Sequence, residues 1–163
     1  MRVSYVCNMK TLIREGIKED LPKVLELINQ LADYEKALEQ VTITLDDLEN
    51  DGFGDTSHFS FLVAEHNKTI IGMTFYFIRY STWKGKFLYL EDFIVKEEFR
   101  NQGIGTLLFE ATINVCKTES LNGMIWQVLD WNTPAINFYK KYGARISTDW
   151  YNGTLSKQQI SNL

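Results

Sequence analysis

The sequence predicts an α/β protein in which one mixed sheet carries helices on its faces. Apolar residues recur at helical spacing over 21–32, and apolar segments at 59–65, 70–80 and 87–95 predict three consecutive strands. The third segment runs through a glycine-containing turn into a helical pattern at 105–118. A length of 163 residues fits one domain with a single core.

Local signals justify the elements of the first half. Thr11–Arg14 predicts a short first strand, and Pro22 is tolerated in the first turn of the helix that follows. Thr44 and Asp47 resemble a capping box and predict the start of a second, short helix. The tripeptide His66-Asn67-Lys68 joins two strand patterns and predicts a hairpin turn.

The second half continues the alternation of strands and helices. Met124–Leu129 predicts a strand, and Asn132-Thr133-Pro134 opens a helix with proline near its first position. Gly143 predicts the end of that helix, and Ala144–Tyr151 predicts a last strand or two. The expected order is therefore β-α-α-β-β-β-α-β-α-β.

Composition excludes several classes of function. A net charge of -4 argues against nucleic acid as the main partner, because neutralising phosphates requires clustered Lys and Arg. Cys7 and Cys116 show no CxxC spacing and only two histidines occur, so we expect no metal site, no disulfide framework and a reducing, cytoplasmic compartment. No stretch approaches about 20 apolar residues, so we expect no membrane span. Residues 1–8 are too short and polar for a signal peptide and are interpreted as an extension before one domain at 9–163.

The most specific motif is Arg100-Asn101-Gln102-Gly103-Ile104-Gly105-Thr106, which joins an apolar strand to a helix. Two glycines let the backbone approach a ligand closely, and the first N–H groups of a helix favour an anion. The arginine can add a charged contact. The motif is neither a Walker loop nor a full GxGxxG fingerprint, and taken alone an ordinary glycine turn explains it equally well.

Glu91 and Asp92 interrupt an otherwise apolar strand. Carboxylates in a buried strand are costly unless they are paired or functional. Neighbours on a regular strand point to opposite faces, so both can serve one site only if a β-bulge redirects one of them.

Two signatures together resemble a known family. Arg100–Gly105 follows a strand and opens a helix, and Asn132–Tyr139 reads Asn-x-Pro-Ala-x-x-Phe-Tyr. This combination resembles the GNAT superfamily of N-acetyltransferases. Further blocks, over nearly the whole chain after Met9, resemble the spermidine/spermine (diamine) N-acetyltransferases and their thialysine-acetylating relatives. These blocks are Tyr34-Glu35, Asp51-Gly52-Phe53-Gly54, Trp83-Lys84-Gly85-Lys86, Leu88-Tyr89-Leu90-Glu91-Asp92-Phe93 and Asn137-Phe138-Tyr139-Lys140.

The resemblance implies a GNAT fold, with a twisted, mostly antiparallel mixed sheet of six to seven strands and about four helices. It implies acetyl-CoA as the co-substrate and no metal. The residues that it assigns to acetyl-CoA are Phe93, Ile94, Val95, Arg100, Asn101, Gln102, Gly103, Ile104, Gly105, Thr106, Asn132, Thr133, Pro134, Ala135 and Tyr139.

The resemblance also implies direct attack by a neutral amine within a ternary complex. Because a lysine-like amine is mostly charged at pH 7, a proton acceptor is needed, and Glu91 is assigned that role through water. Asp92 is expected to bind substrate or support the site. Tyr139 matches the family's general acid, although without the resemblance it reads as a core aromatic. The expected substrate-binding residues are Tyr34, Glu35, Trp83, Glu91, Asp92, Ile125, Trp126 and Gln127.

The expected acceptor is a primary amine of a small di- or polyamine. The segment after Gly143 is shorter than in the polyamine enzymes and keeps only Asp149, so thialysine or another lysine-like amino acid stays open as the acceptor. Two further functions stay open as well, a protein-lysine acetyltransferase and a CoA-binding module without turnover. The family resemblance implies a homodimer, in which the aromatic residues Trp83, Trp150 and Tyr151 are candidates for an interface.

Overall fold

A single sheet organises the chain in the computed structural model, which describes residues 5–7 and 11–163, with side chains from Thr11 onward. Among these residues six strands lie side by side in chain order, β1 to β5 antiparallel and β6 parallel to β5. The expectation of a mixed, mostly antiparallel sheet is confirmed. The strands are β1 (Tyr5–Cys7), β2 (Thr11–Glu15), β3 (Ser60–His66), β4 (Thr69–Ser81), β5 (Gly85–Val95) and β6 (Met124–Trp126).

The helices α1 to α3 fall between strands, whereas α4 and α5 follow the last strand. The described residues form α1 (Leu21–Tyr34), α2 (Leu45–Phe53), α3 (Ile104–Thr118), α4 (Thr133–Lys140) and α5 (Lys157–Ser161). The chain divides into two units, Met1–Gln127 and Val128–Leu163, and each is described by itself. The first unit contains the whole sheet and α1 to α3.

One face of the sheet packs against α1 and α2. Leu21, Val24 and Leu27 are fully buried on α1 and form one cluster with Met73 and Phe75 of β4. Burying an aliphatic side chain of this size stabilises the fold by about 1.5–3 kcal/mol. The apolar spacing that predicts the helix is therefore the stripe that attaches it to the sheet.

The opposite face of β4 packs against α3. The buried hydroxyls of Thr74 and Thr112 hydrogen-bond each other over 2.8 Å, which ties the two elements together. Gly72 makes the close approach possible, because an added Cβ would lie 2.8 Å from the Ile94 carbonyl oxygen and 3.2 Å from the Leu108 side chain. A larger residue at this position would push β4, β5 and α3 apart.

Two local predictions are confirmed in detail. Thr44 caps α2, accepting from the Asp47 amide over 3.1 Å while the Asp47 carboxylate accepts from the Thr44 amide over 2.9 Å. Asn67 and Lys68 both have positive φ and join β3 to β4 in a two-residue hairpin turn.

The predicted strand at Ala144–Tyr151 is wrong, because residues 144–156 have no regular secondary structure. A strand requires a neighbour for its backbone hydrogen bonds, and the sheet contains none of these residues. Trp150 and Tyr151 are correspondingly exposed. The sequence reasoning missed α5, although its capping box of Ser156 and Gln159 was a usable signal.

The N-terminal segment contributes one strand to the sheet. Within the interpreted extension 1–8, Tyr5–Cys7 pairs with β2, whereas residues 1–4 and 8 lie outside the described part, as does Met9. The division into an extension and one domain at 9–163 stays a prediction. In the described part of the chain, no helix is long and apolar enough to cross a membrane.

Candidate functional site

A β-bulge in β5 lies at the two unusual carboxylates. Phe75 pairs with Asp92 and Tyr76 pairs with Leu90, so Glu91 is an extra residue on β5. Asp92 therefore shares the α1 face with Phe75, while Leu90 shares the opposite face with Tyr76. The bulge that the sequence requires for Glu91 and Asp92 to serve one site is present.

Asp92 is the most strongly perturbed carboxyl of this group. Burial, together with the neighbouring charges of Glu91 and Glu35, raises its pKa from the usual 3.8 to about 6. Burial also raises the pKa values of Glu91 and Glu35. Three carboxyls that disfavour each other's charge make a site that stabilises a cation and accepts a proton near neutral pH.

Two tyrosines neighbour these carboxyls. Tyr89 stacks on Phe77 with ring centroids 5.1 Å apart, and burial together with the charge of Glu91 raises the pKa of the Tyr89 hydroxyl. Tyr34 ends α1 directly before Glu35. The sequence patterns assign Tyr34 to the site but miss Tyr89, which period-two alternation places on the face of Phe77.

The loop before α3 presents a row of backbone donors. The N–H groups from Asn101 to Thr106 have no acceptor among the described residues, and no side chain caps the helix. The left-handed φ values of Asn101 and Gly103 shape this row, and Gly105 keeps it open beside the Phe93 ring. A pyrophosphate fits such a row at a helix N-terminus, so the loop suits CoA.

The Arg100 side chain is held by contacts within the protein. Its Nε donates to the Val95 carbonyl over 2.9 Å, and its guanidinium carbon lies 5.3 Å from the Tyr34 ring centroid. The side chain thus connects the donor loop, the end of β5 and the end of α1. The guanidinium nitrogens keep capacity for an anion, as the sequence motif predicts.

The edge of β5 that faces β6 opens beside the bulge. The two strands pair only from Leu88 to Leu90, opposite Met124 to Trp126. Backbone groups of β5 beyond Leu90 are therefore not paired by β6, which includes the segment Phe93, Ile94 and Val95 that the resemblance assigns to acetyl-CoA. An extended ligand arm can hydrogen-bond to a strand edge in this way.

The second unit carries the remaining predicted residues. The Asn132 side chain caps α4 by accepting from the Ala135 amide over 3.3 Å, with Thr133 and Pro134 in the first turn. Tyr139 is buried on α4, where its ring meets that of Phe138 at a steep angle.

Other predicted substrate residues are spread over the first unit. Trp83 is 85 % exposed in the turn between β4 and β5. Ile125 and Trp126 lie in β6, with Gln127 directly after it, and the Trp126 ring meets Phe109 edge-on at 5.8 Å. Among the described residues no group of three or more His, Cys, Asp or Glu side chains is arranged to hold a metal ion.

Comparison with known proteins identifies the family. The model of the acetyltransferase (GNAT) family matches residues 21–144, which include the bulge, the donor loop and α4. The chain belongs to this family. The GNAT fold also appears in solved structures: an aminoglycoside acetyltransferase from an uncultured soil sample has a TM-score of 0.76 at 20% identity, covering 90% of this chain and 97% of the other. An aminoglycoside N-acetyltransferase in complex with CoA has a TM-score of 0.70 at 20% identity, covering 96% and 97%.

Curated GNAT relatives are more similar in sequence. The thialysine N-epsilon-acetyltransferase of Bos taurus is 39% identical over 146 residues, which cover 85% of this chain and 86% of that protein. The spermidine/spermine N(1)-acetyltransferase-like protein 1 of Homo sapiens is 37% identical over 81% of this chain but only 20% of that protein. The chain is therefore an acetyltransferase of GNAT type.

Proposed function

We propose that this enzyme transfers the acetyl group of acetyl-CoA to a primary amine of a small di- or polyamine. The observation that carries the acceptor is the partly buried carboxyl of Asp92, which lies within electrostatic range of Glu91 and Glu35. Such a site stabilises an alkylammonium ion. Once the reacting nitrogen has lost its proton, a second ammonium group of the acceptor can still pair with the carboxylates.

Acetyl-CoA supplies an acetyl thioester when it is bound. The amides of 101–106 would hold its pyrophosphate, and the edge of β5 at Phe93–Val95 would hold its extended arm. The family resemblance assigns the α4 start at Asn132–Ala135 to the same co-substrate. Glu91 accepts a proton from the amine through water, and Asp92 holds the substrate cation. Tyr139 donates a proton to the departing sulfur, since a phenol is an effective acid toward a thiolate.

The division of labour between Glu91 and Asp92 has a physical rationale. Glu91 is exposed and reaches water easily, whereas Asp92 is more deeply buried, with a pKa raised to about 6 by burial and the charges of Glu91 and Glu35. The amine site is completed by Tyr34 and Glu35 at the end of α1 and by Trp83, Ile125, Trp126 and Gln127.

Thialysine is a second candidate acceptor, favoured by the similarity to the Bos taurus enzyme. It carries two ammonium groups, as a diamine does, but it also carries a carboxylate that three acidic side chains would repel. Selectivity between the two candidates therefore depends on which groups of the protein contact the end of the acceptor that is distant from the reacting nitrogen.

An acceptor screen tests the proposal. CoA release is measured at low salt with putrescine, spermidine, thialysine and a simple alkyl monoamine, using wild type and Glu35→Gln. We expect the acceptors with a second ammonium group to exceed the monoamine by roughly 5- to 150-fold in kcat/KM, and Glu35→Gln to reduce that ratio. Equal rates for mono- and diamines would contradict the proposed amine site, and a clear preference for thialysine would favour the second candidate.

A homodimer in the cytoplasm completes the proposal. Trp83 and Trp150 are 85 % and 83 % exposed, and large apolar side chains of this exposure are typical of surfaces that meet a partner. Light scattering at micromolar concentration should give twice the chain mass, and a monomer would refute this part of the proposal.

A further inference from the structure

The face of the sheet that carries Asp92 continues along the β4–β5 hairpin beyond the bulge. Because alternate residues of a strand share a face, Phe77 and Arg79 follow Phe75 on this face of β4. On β5, Tyr89 pairs with Phe77 and lies on the same face. The order along this face is therefore a carboxyl, a pair of aromatic rings and then a guanidinium.

The aromatic pair separates the acidic groups from the arginine. The Phe77 and Tyr89 rings are stacked with centroids 5.1 Å apart, and both residues are half-buried. Hydrocarbon packs favourably on such rings. Burial raises the pKa of the Tyr89 hydroxyl, the charge of Glu91 raises it further and the charge of Arg79 lowers it, so this oxygen lies within electrostatic range of both charges. The phenol thus borders a negative region on one side and a positive one on the other.

Arg79 has no partner within the part of the chain whose side chains the structure describes. It is exposed, and its guanidinium makes neither a hydrogen bond nor an ion pair with any of these residues. The other three arginines of this part, Arg14, Arg100 and Arg145, each contact an oxygen of the protein. A guanidinium presents its N–H donors in a planar fork that matches a carboxylate. Arg79 is therefore available to an anionic group of a ligand.

The spacing along this face suits a lysine-like amino acid. Strand residues rise about 3.3 Å each, so the Cα atoms of Phe75 and Arg79 lie roughly 13 Å apart, and a long arginine side chain can shorten the span that a ligand has to bridge. Asp92 lies opposite Phe75. A lysine-like amino acid carries an ammonium group at one end of a hydrocarbon chain and a carboxylate at the other. With that ammonium group at Asp92, the chain lies over the two rings and the carboxylate reaches the guanidinium.

We propose that Arg79 is a specificity-determining residue, which binds the carboxylate of a lysine-like amino acid while Glu91 and Asp92 receive its side-chain amine. This role depends on the proposed acetyl transfer and names a further acceptor class for the same site. The acidic side chains repel the carboxylate of such an acceptor, and a guanidinium at the distant end of the site offsets that repulsion. A diamine of the same length gains nothing from Arg79. The site thus accepts lysine-like amino acids as well as diamines, and Arg79 sets the preference between them.

Two acceptors that differ only in the carboxylate test this role. They are thialysine and its decarboxylated analogue bis(2-aminoethyl) sulfide, compared by CoA release from acetyl-CoA at low salt. We expect Arg79→Gln to lower kcat/KM for thialysine by about 10-fold, the effect of losing one charge-assisted hydrogen bond, and not to lower it for the sulfide diamine. The loss should appear mainly in KM, because Arg79 does not touch the reacting atoms. Arg79→Lys keeps the charge and should recover part of the loss.

Lys86→Gln is the matched control. Lys86 is an exposed cation on the same hairpin, and its pairing with Tyr80 places it on the opposite face. The variant makes the same change of net charge and should leave both acceptors unchanged. A loss with thialysine as large in Lys86→Gln as in Arg79→Gln would overturn the proposal. An equal loss with thialysine and the sulfide diamine in Arg79→Gln would overturn it as well, because it would indicate a merely structural role.

Calorimetry with thialysine in the presence of CoA separates this proposal from the proposed reaction, because no turnover is measured. Arg79→Gln should weaken thialysine binding by about 10-fold. An unaltered affinity in this variant, or no saturable binding to wild type at millimolar concentration, would overturn the role of Arg79 even if acetyl transfer to diamines is confirmed. Conversely, weakened binding in Arg79→Gln without CoA release from any amine would support the carboxylate contact and refute the acetyl transfer.

Discussion

Asp92→Asn should stabilise the folded chain at neutral pH while reducing acetyl transfer. The carboxyl has a pKa of about 6 in the fold against 3.8 as its ordinary value, and no described residue hydrogen-bonds to it. Keeping Asp92 ionised in the fold therefore costs about 3 kcal/mol, which is the free energy of that difference in pKa. Asparagine occupies nearly the same volume and carries no charge, so it removes this cost.

The sign of the pH dependence follows from proton linkage. Below pH 3.8 the carboxyl is protonated in both states and contributes nothing. Between 3.8 and about 6 the unfolded chain releases its proton while the folded chain retains it, so this group lowers stability as pH rises. Above pH 6 the loss is complete and constant. The variant should therefore gain over wild type as pH rises through this window.

Thermal melts at pH 5 and pH 7.5 measure the effect. A gain of about 3 kcal/mol corresponds to roughly 6–12 °C for a chain of this size, and the gain should be smaller at pH 5. Asp55→Asn makes the same change of net charge at an exposed position and serves as the control. A variant no more stable than wild type at pH 7.5, or a gain independent of pH, would refute the reasoning about Asp92.

Three further predictions concern the proposed site. Gly105→Val should weaken CoA binding and leave the thermal melt normal, because a Cβ at this position lies 3.4 Å from the Phe93 ring and the added methyl groups enter the row of backbone donors. Gly153→Val, at a position with open space, is the control. An unchanged CoA affinity in calorimetry would count against the loop as the CoA site. Tyr139→Phe should lower kcat by about 100- to 10,000-fold with little change in the acetyl-CoA KM, and near-full turnover would return Tyr139 to a structural role. Tyr34→Leu should raise the KM for acetyl-CoA as well as for the amine, because it removes the ring under Arg100; an effect on the amine alone would argue against this connection.

The order of elements as far as α4 could be predicted from the sequence, because their signals are local. Helical spacing in 21–32, the capping box at Thr44 and the hairpin at Asn67-Lys68 each depend on neighbours in the chain. The glycine turn before α3 is equally local and predicts the donor loop. The prediction of a strand at Ala144–Tyr151 is wrong for the opposite reason, since a strand forms only when another strand supplies partners for its backbone hydrogen bonds.

The sequence by itself determined which residues are candidates for the chemistry, namely two carboxyls in an apolar strand and a glycine loop before a helix. Only the tertiary structure decided how the carboxyls act together. The extra residue at Glu91 depends on the register of β5 against β4. The raised pKa of Asp92 depends on its burial in the fold and on the charges of Glu91 and Glu35, the second of which follows α1. Strand register, burial and charge proximity arise from long-range contacts, and no local pattern encodes them.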